Sequence, residues 1–160
     1  MKYGFSFKII FICLLAAMMI FTSCGGNDYS SVTPEPDAAA AALISAGVFS
    51  EELGRLDDDA ARMAYGMPSA SSLAVWSGSG ATPEEIIIAS GSDTAAIRAE
   101  LEAHLSNRKT QFTDYNAWEK PKLNGALIFE AGSCVIYAVG ASGSDSDVEK
   151  ALIGYLDTLL

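Results

Sequence analysis

The stretch GALIFEAGSCVIYAVGA, residues 125–141, decides the fold of this chain. Gly132-Ser133 lies between two apolar runs and is the kind of two-residue connection that joins the strands of a β-hairpin. With the turn at that place, successive side chains alternate between two faces. One face carries Leu127, Phe129, Cys134, Ile136 and Ala138, and the other carries Ile128, Glu130, Val135 and Tyr137. The stretch therefore predicts two antiparallel strands.

A second strand pair is predicted before this hairpin. SSLAVWS at 71–77 and EEIIIAS at 84–90 are short, rich in β-branched and aromatic residues, and joined by a Gly-Ser loop. TPEE at 82–85 could instead open a helix as a capping box. We favour the strand because the β-branched run is too short for a helix.

Helical patterns surround and separate the two strand pairs. They cover the alanine run after Asp37, residues 56–68, a long segment at about 92–114, and the end of the chain from Ser146. The predicted order is ααββαββα, and the predicted class is α+β. Such an order favours a four-stranded antiparallel sheet with helices packed mainly on one face.

The N-terminus has the pattern of a bacterial lipoprotein signal. Residues 1–8 carry two lysines and no acid, residues 9–21 are apolar, and Thr22 and Ser23 precede Cys24. The charged and apolar segments are typical of a secretory signal. The cysteine after small residues resembles a lipobox, in which the thiol is acylated and becomes the new N-terminus. The alternative is an ordinary signal peptide that is cut nearby.

These patterns divide the chain into three parts. Residues 1–23 are predicted to be a lipoprotein signal peptide. Residues 24–36, rich in Gly, Ser and Pro, are predicted to be a lipid-anchored flexible tether. Residues 37–160 are predicted to form a single α+β domain.

The net charge of the mature chain restricts the classes of partner that it can bind. Loss of residues 1–23 removes Lys2 and Lys8, so the formal net charge changes from −10 to −12. An acidic domain is a poor ligand for nucleic acid, whose affinity comes from Lys and Arg on phosphates. The predicted partners are the membrane, through the lipid on Cys24, and an envelope protein or peptide. The predicted location is the cell membrane, facing outside the cytoplasm.

Cys134 and His104 are the one thiol and the one imidazole that the mature chain could use for nucleophilic catalysis. That chemistry needs the imidazole within hydrogen-bond reach of the sulfur. Cys134 is instead predicted on the core face of the hairpin, where a free cysteine behaves as a small hydrophobe. We therefore predict no catalytic residues. A small extracytoplasmic hydrolase or thiol enzyme using Cys134 and His104 is the alternative.

No metal or cofactor site is predicted. Asp57–Asp59 and the acidic stretch at 144–147 lack the alternating ligands and terminal Glu of a calcium loop. Both lie where helices begin, and aspartate commonly caps helices there. One histidine and one free cysteine are too few for a structural zinc site. The Gly-Ser loop at 77–80 lacks the lysine of a phosphate-binding loop.

A polar cluster is predicted on the long helix. At 100° per residue, Arg108, Gln111 and Tyr115 fall beside the apolar side chains that face the sheet. A charge in that position needs a partner, and Glu84 and Glu85 at the start of the second strand are the nominated acids. The cluster is either structural or a binding site with Arg108 at its centre, and the structural interpretation is favoured.

Three segments carry a family resemblance. AYG at 64–66, EEIIIAS at 84–90 and RKTQFTDYNAWEKPKL at 108–123 precede the hairpin and the terminal helix. In this order they resemble a family of small Gram-positive bacterial lipoproteins known only as a domain of unknown function. The resemblance implies an exported, lipid-anchored single domain, with no assigned substrate, cofactor or catalytic residue. By the family's pattern, the positions of interest are Tyr65, Glu85, Arg108, Gln111 and Tyr115. Residues and resemblance together favour a non-enzymatic binding module at the cell envelope.

Overall fold

A computed structural model of the chain describes residues 27–160. The helices are α1 (Pro36–Ser45), α2 (Asp58–Tyr65), α3 (Thr94–Tyr115) and α4 (Asp145–Leu156). The strands are β1 (Gly54–Arg55), β2 (Ser72–Ser77), β3 (Glu85–Ser90), β4 (Ala126–Ala131) and β5 (Cys134–Val139), and short 3-10 helices span Lys120–Gly125 and Asp157–Leu159. None of the helices in this range is long and apolar enough to cross a membrane. The predicted signal peptide and Cys24 lie outside the described residues.

The strands form one antiparallel sheet in the order β1-β2-β3-β5-β4. The α+β class and the antiparallel sheet are therefore confirmed, but the sheet has five strands and not the predicted four. The additional strand, β1, pairs Gly54 with Ser77 and Arg55 with Trp76 at one edge. Two residues are too few to show an alternating pattern, so the sequence contains no signal for β1.

The helices cover both faces of the sheet, and the prediction that they pack mainly on one face is wrong. α1 and α4 bury Leu43 and Leu152 on one face, and α2 and α3 bury Ala61 and Leu101 on the other. The reason lies in the central strands β3 and β5, in which every side chain except Ser90 is buried. Strands covered on both sides have continuous apolar runs, as these two do.

The hairpin of β4 and β5 has the predicted register. Ala131 pairs with Cys134 across the two-residue connection. Gly132 has a φ of +54°, in the left-handed region that favours glycine. A Cβ at this position would also lie 2.6 Å from the carbonyl oxygen of Val32. Alternate side chains of the two strands enter the two cores, as the alternation predicts.

Residues 29–34, which fall in the predicted tether, pack on the domain. Tyr29 and Val32 are buried in the core on the α1/α4 face. The Tyr29 ring lies 5.8 Å from that of Phe129, and its hydroxyl donates to Asp157 at 2.6 Å. Its carbonyl accepts a hydrogen bond from the Gly132 amide at 3.0 Å. The folded unit therefore begins before residue 37, because two apolar side chains with no regular spacing anchor an otherwise polar segment.

α3 is the element that carries most of the candidate site. Asp93 caps its start by accepting a hydrogen bond from the Ala96 amide at 2.9 Å. Ile97, Leu101 and Phe112 are its buried side chains and attach it to the α2/α3 face of the sheet. The residues next to this apolar stripe consequently face the gap between α3 and α2.

Candidate functional site

A cavity of about 500 Å³ opens between α2, α3 and the first residue of β3. Its lining includes the charged side chains Glu85, Glu100 and Arg108 together with the rings of Tyr65 and His104. A concave site in which a few polar groups converge is the default candidate for a ligand pocket. This cavity is the candidate functional site.

Glu85 is the buried centre of the cavity wall. Only 2% of its side chain is exposed, yet three side chains contact its carboxylate. His104 Nε2 lies 2.8 Å from Oε1, and Arg108 Nε lies 3.4 Å from the same oxygen. The Tyr65 hydroxyl donates to Oε2 at 3.1 Å. A buried carboxylate is tolerated only where it is paired and hydrogen-bonded, and these three partners meet that need.

Local structure explains why these side chains meet. His104 and Arg108 are four residues apart on α3, so they lie one above the other on the same side of the helix. Tyr65 is the last residue of α2, which ends because Gly66 takes a φ of +56°. Glu85 opens β3 with its side chain on the α2/α3 face, where it reaches all three.

Arg108 retains unused hydrogen-bonding capacity. Its guanidinium carries five N–H donors, and its side chain is 21% exposed. Nε is buried within ion-pair range of Glu85 but makes no hydrogen bond. Nη1 donates to Gln111 Oε1 at 3.4 Å, which is a long contact. The group also lies 4.9 Å from the centroid of the Phe112 ring. Within residues 27–160, Arg108 has no other hydrogen bond. Its contacts with Glu85, Gln111 and Phe112 restrain the side chain, while most of its donors are free.

Two tyrosines border the carboxylate. Burial, and then the charge of Glu85, raises the pKa of Tyr65 and of Tyr137 well above the ordinary value. Tyr137 is fully buried, its ring meets that of His104 edge-on at 5.5 Å, and its hydroxyl has no hydrogen-bond partner within the described part of the chain. Both phenols are therefore protonated at neutral pH and can serve only as neutral polar groups.

The thiol does not reach this site. Cys134 shares the α1/α4 side of β5 with Ile136, and its Sγ lies 3.8 Å from the carbonyl oxygen of Pro34. His104 lies on the opposite side of the sheet, where Glu85 is its one hydrogen-bond partner among residues 27–160. Burial also raises the pKa of Cys134, which disfavours the reactive thiolate. The Cys134–His104 pair of the alternative interpretation is consequently not formed.

Glu84, the other nominated acid, turns to the opposite face of the sheet. Because neighbouring side chains along a strand alternate, Glu84 points away from Arg108 and meets Lys122 Nζ at 2.7 Å. Ser50 donates its amide to Glu84 at 2.6 Å and also its hydroxyl. Burial opposes ionisation, but the hydrogen bonds from Lys122 and Ser50 outweigh it and lower the pKa of Glu84. Glu84 and Lys122 thus form a second, structural ion pair.

Gln111 lines the cavity, whereas Tyr115 does not. Tyr115 ends α3, is 74% exposed, and packs edge-on against Phe112 with ring centroids 6.2 Å apart. A helix of 22 residues is about 33 Å long, and a strand of six residues is only about 20 Å long. The C-terminal end of α3 therefore extends beyond the sheet, and most of the Tyr115 side chain is left exposed there. Trp118 follows and is 92% exposed.

Sequence patterns alone do not identify all residues of the two ion-paired clusters, which surround Glu85 and Glu84. Lys122 lies 38 residues from Glu84 and in a 3-10 helix, so no periodic signal connects the two. Tyr65 is indicated only by the family resemblance, and His104 is considered only as a possible partner of Cys134 and not of Glu85. For Tyr137, the sequence indicates only that it lies on the same hairpin face as Val135, and it does not indicate that the ring borders Glu85.

Residues 27–160 contain no group of three or more His, Cys, Asp or Glu side chains that could hold a metal ion. A comparison of the sequence with protein-family models and searches among curated proteins and solved structures find no match. The cavity and the sequence pattern of the N-terminus are therefore the features that indicate a function.

Proposed function

We propose that this chain is an exported, lipid-anchored binding protein of the cell envelope, and that the cavity beside Glu85 takes a small carboxylate-bearing ligand. The observation that carries the proposal is the unused hydrogen-bonding capacity of Arg108. Its guanidinium is held in place in a concave site while most of its donors are unused.

The chemistry of Arg108 favours a carboxylate. A guanidinium presents two parallel N–H groups that match the two oxygens of a carboxylate. Contacts with Glu85, Gln111 and the Phe112 ring already restrict the side chain. Binding therefore requires little further ordering of the arginine, which improves affinity. The amide of Gln111, next to the guanidinium, adds a donor to the same place.

The acidic side chains of the cavity restrict where a ligand can carry negative charge. Glu85 is enclosed, and the positive charge of Arg108 offsets its own, so it opposes an incoming anion less than a free carboxylate would. Glu100 accepts hydrogen bonds from the Ser69 hydroxyl at 2.6 Å and from its amide at 3.2 Å. It lies eight residues from Arg108 on α3, about 12 Å along the helix. A ligand with one carboxylate and a cationic or donor group some distance away, such as a short peptide, fits this charge pattern.

The anchor follows from the sequence around Cys24. Two acyl chains on one cysteine hold a protein stably at a membrane, where a single chain does not. We expect Cys24→Ala to leave residues 27–160 folded but to release the domain from the membrane or leave an unprocessed precursor. Cell fractionation with mass measurement of the N-terminus tests this, and Cys134→Ala is the matched control that should remain anchored. A processed Cys24→Ala protein that still partitions into the membrane would refute the anchor.

The ligand site is tested by a variant that leaves Glu85 and its three partners in place. Titration calorimetry with acetate, trialanine and inorganic phosphate should show binding of the carboxylate probes. Gln111→Ala should weaken that binding by about tenfold, or roughly 1.4 kcal/mol, because it removes the amide beside Arg108. Thr110→Ala is the control: its exposed hydroxyl donates to the Ser106 carbonyl at 3.2 Å, outside the cavity lining. Binding of phosphate alone, or of no probe, would count against a carboxylate site.

A further inference from the structure

The start of the described chain is fixed to one end of the sheet. The Asn27 side-chain amide donates to Asp157 at 2.8 Å, and the Tyr29 hydroxyl donates to the same carboxylate at 2.6 Å. The Tyr29 carbonyl accepts from the Gly132 amide in the β4–β5 turn. The chain therefore leaves the domain at the turn end of the hairpin, and it does so on a segment that is part of the core.

Very little chain separates this point from the proposed lipid. Three peptide steps connect Cys24 to Asn27, and in any conformation they span at most about 11 Å. A tether of this length cannot lift the domain clear of the headgroups or let it turn over freely. The corner formed by Asn27 and Asp157 must stay close to the membrane surface if Cys24 is acylated.

The candidate site lies at the other end of the sheet. Ser90 of β3 pairs with Cys134 next to the turn, whereas Glu85 pairs with Val139 at the far end of β5. α3 runs in the same direction, from the turn end of the sheet toward the end at which Glu85 lies. It begins after Gly91, whose amide donates to the Ser133 carbonyl, and it ends at Tyr115. The two ends of β3 are about 17 Å apart, and α3 extends farther still.

We propose that the anchored domain stands with the β4–β5 turn facing the lipid headgroups and with the Glu85 cavity and the exposed Tyr115 and Trp118 directed away from the membrane. This orientation rests on the proposed acylation of Cys24. Its consequence is that the ligand enters from the extracytoplasmic space and not from the bilayer. Exposed Tyr and Trp side chains often mark a membrane interface, but in this domain they lie at the end farthest from the anchor.

The corner that faces the membrane has side chains suited to that position. Leu159 and Leu160 follow Asp157 after one residue, Thr158, and are 45% and 62% exposed. Apolar side chains at the headgroup level gain from leaving water, so these two can supplement the lipid. The net charge of −12 in the mature chain, by contrast, disfavours broad contact between the rest of the domain and anionic lipids.

Depth-dependent quenching tests the orientation. The full chain, carrying Cys134→Ala, is expressed with a reporter cysteine at Ser133→Cys in the turn or at Ala117→Cys beside Trp118, and both positions are exposed. Each protein is purified with its lipid, labelled with a small fluorophore, and placed in phosphatidylcholine vesicles that contain a lipid with a nitroxide on its headgroup. Quenching by the lipid should be several-fold greater at 133 than at 117, and quenching by soluble acrylamide should show the reverse order.

Two failures are distinguishable. Mass measurement that finds an unmodified Cys24 would overturn the anchor, and the orientation with it. A lipidated protein in which the lipid quenches the label at 117 as strongly as the label at 133 would overturn the orientation alone. The control is each labelled protein expressed without residues 1–23 and with Cys24→Ala, which has neither signal peptide nor lipid. The nitroxide lipid should quench neither label in that form.

Discussion

Arg108→Ala should lower the free energy of unfolding by about 3 kcal/mol, the usual loss when one partner of a buried ion pair is removed. The side chain of Glu85 is only 2% exposed, so its carboxylate cannot turn to water when the guanidinium is gone. His104 and Tyr65 would still contact it, but the nearest permanent positive charge would be lost. Urea unfolding followed by circular dichroism measures the change.

Arg98→Ala is the matched control on the same helix. Its ion pairs with Glu102 and Glu130 are partly solvent-exposed, and pairs near the surface typically contribute less than about 1 kcal/mol. The double variant Arg108→Met with Glu85→Gln should lose less than the sum of the two single changes, because both remove the same interaction. An Arg108→Ala protein as stable as Arg98→Ala would show that the Glu85 pairing is not structural.

Lys122→Met should have an effect of similar size on the opposite face, about 3 kcal/mol. The side chain of Glu84 is fully buried, and Lys122 is its cationic partner at 2.7 Å. Removal of the ammonium leaves this carboxylate with the hydrogen bonds of Ser50 alone. Lys120→Met, in the same 3-10 helix and without an ion pair among residues 27–160, should change stability by less than about 0.5 kcal/mol. Equal losses of stability in Lys122→Met and Lys120→Met would contradict the assignment of Glu84 and Lys122 as a structural ion pair.

The same pair gives stability a characteristic dependence on pH. The pKa of Glu84 is below its usual value of 4.5 in the folded protein, so its contribution is present above that pH and is lost as pH falls through the lower, folded value. The pKa of Lys122 is above its usual 10.5 because hydrogen bonds to Glu119 and Glu84 outweigh burial. Its contribution is lost as pH rises through that higher value. In the Glu84→Gln variant, the free energy of unfolding should therefore fall less steeply as the pH is lowered than it does in the unaltered protein.

Local pattern predicts part of this fold well. The alternation around Gly132 determines the register of the hairpin, because a slip by one residue would move every apolar side chain to the wrong face. Helical spacing likewise places Arg108 on the inner side of α3, where it meets Glu85. In both cases the decisive information lies within one element and its turn.

Other features depend on contacts between distant elements. Glu84 and Glu85 are adjacent, and the sequence alone makes them equivalent candidates for the partner of Arg108, yet alternation directs Glu84 to Lys122 and Glu85 to Arg108. Which face each enters depends on where β3 begins, and the apolar run of β3 obscures that boundary. The same run conceals that helices cover both faces, since an alternating pattern is absent when a strand is buried on each side.

The position of Arg108 in the cavity is the central claim, and NMR of its side chain tests it most directly. The Nε–H resonances of the arginines and the side-chain amide resonances of glutamine can be followed while trialanine is added at constant ionic strength. We predict saturable shifts of the Arg108 Nε–H and of the Gln111 amide, with Arg98 unchanged. No shift at Arg108, or a shift of equal size at Arg98, would show that the cavity does not receive a carboxylate.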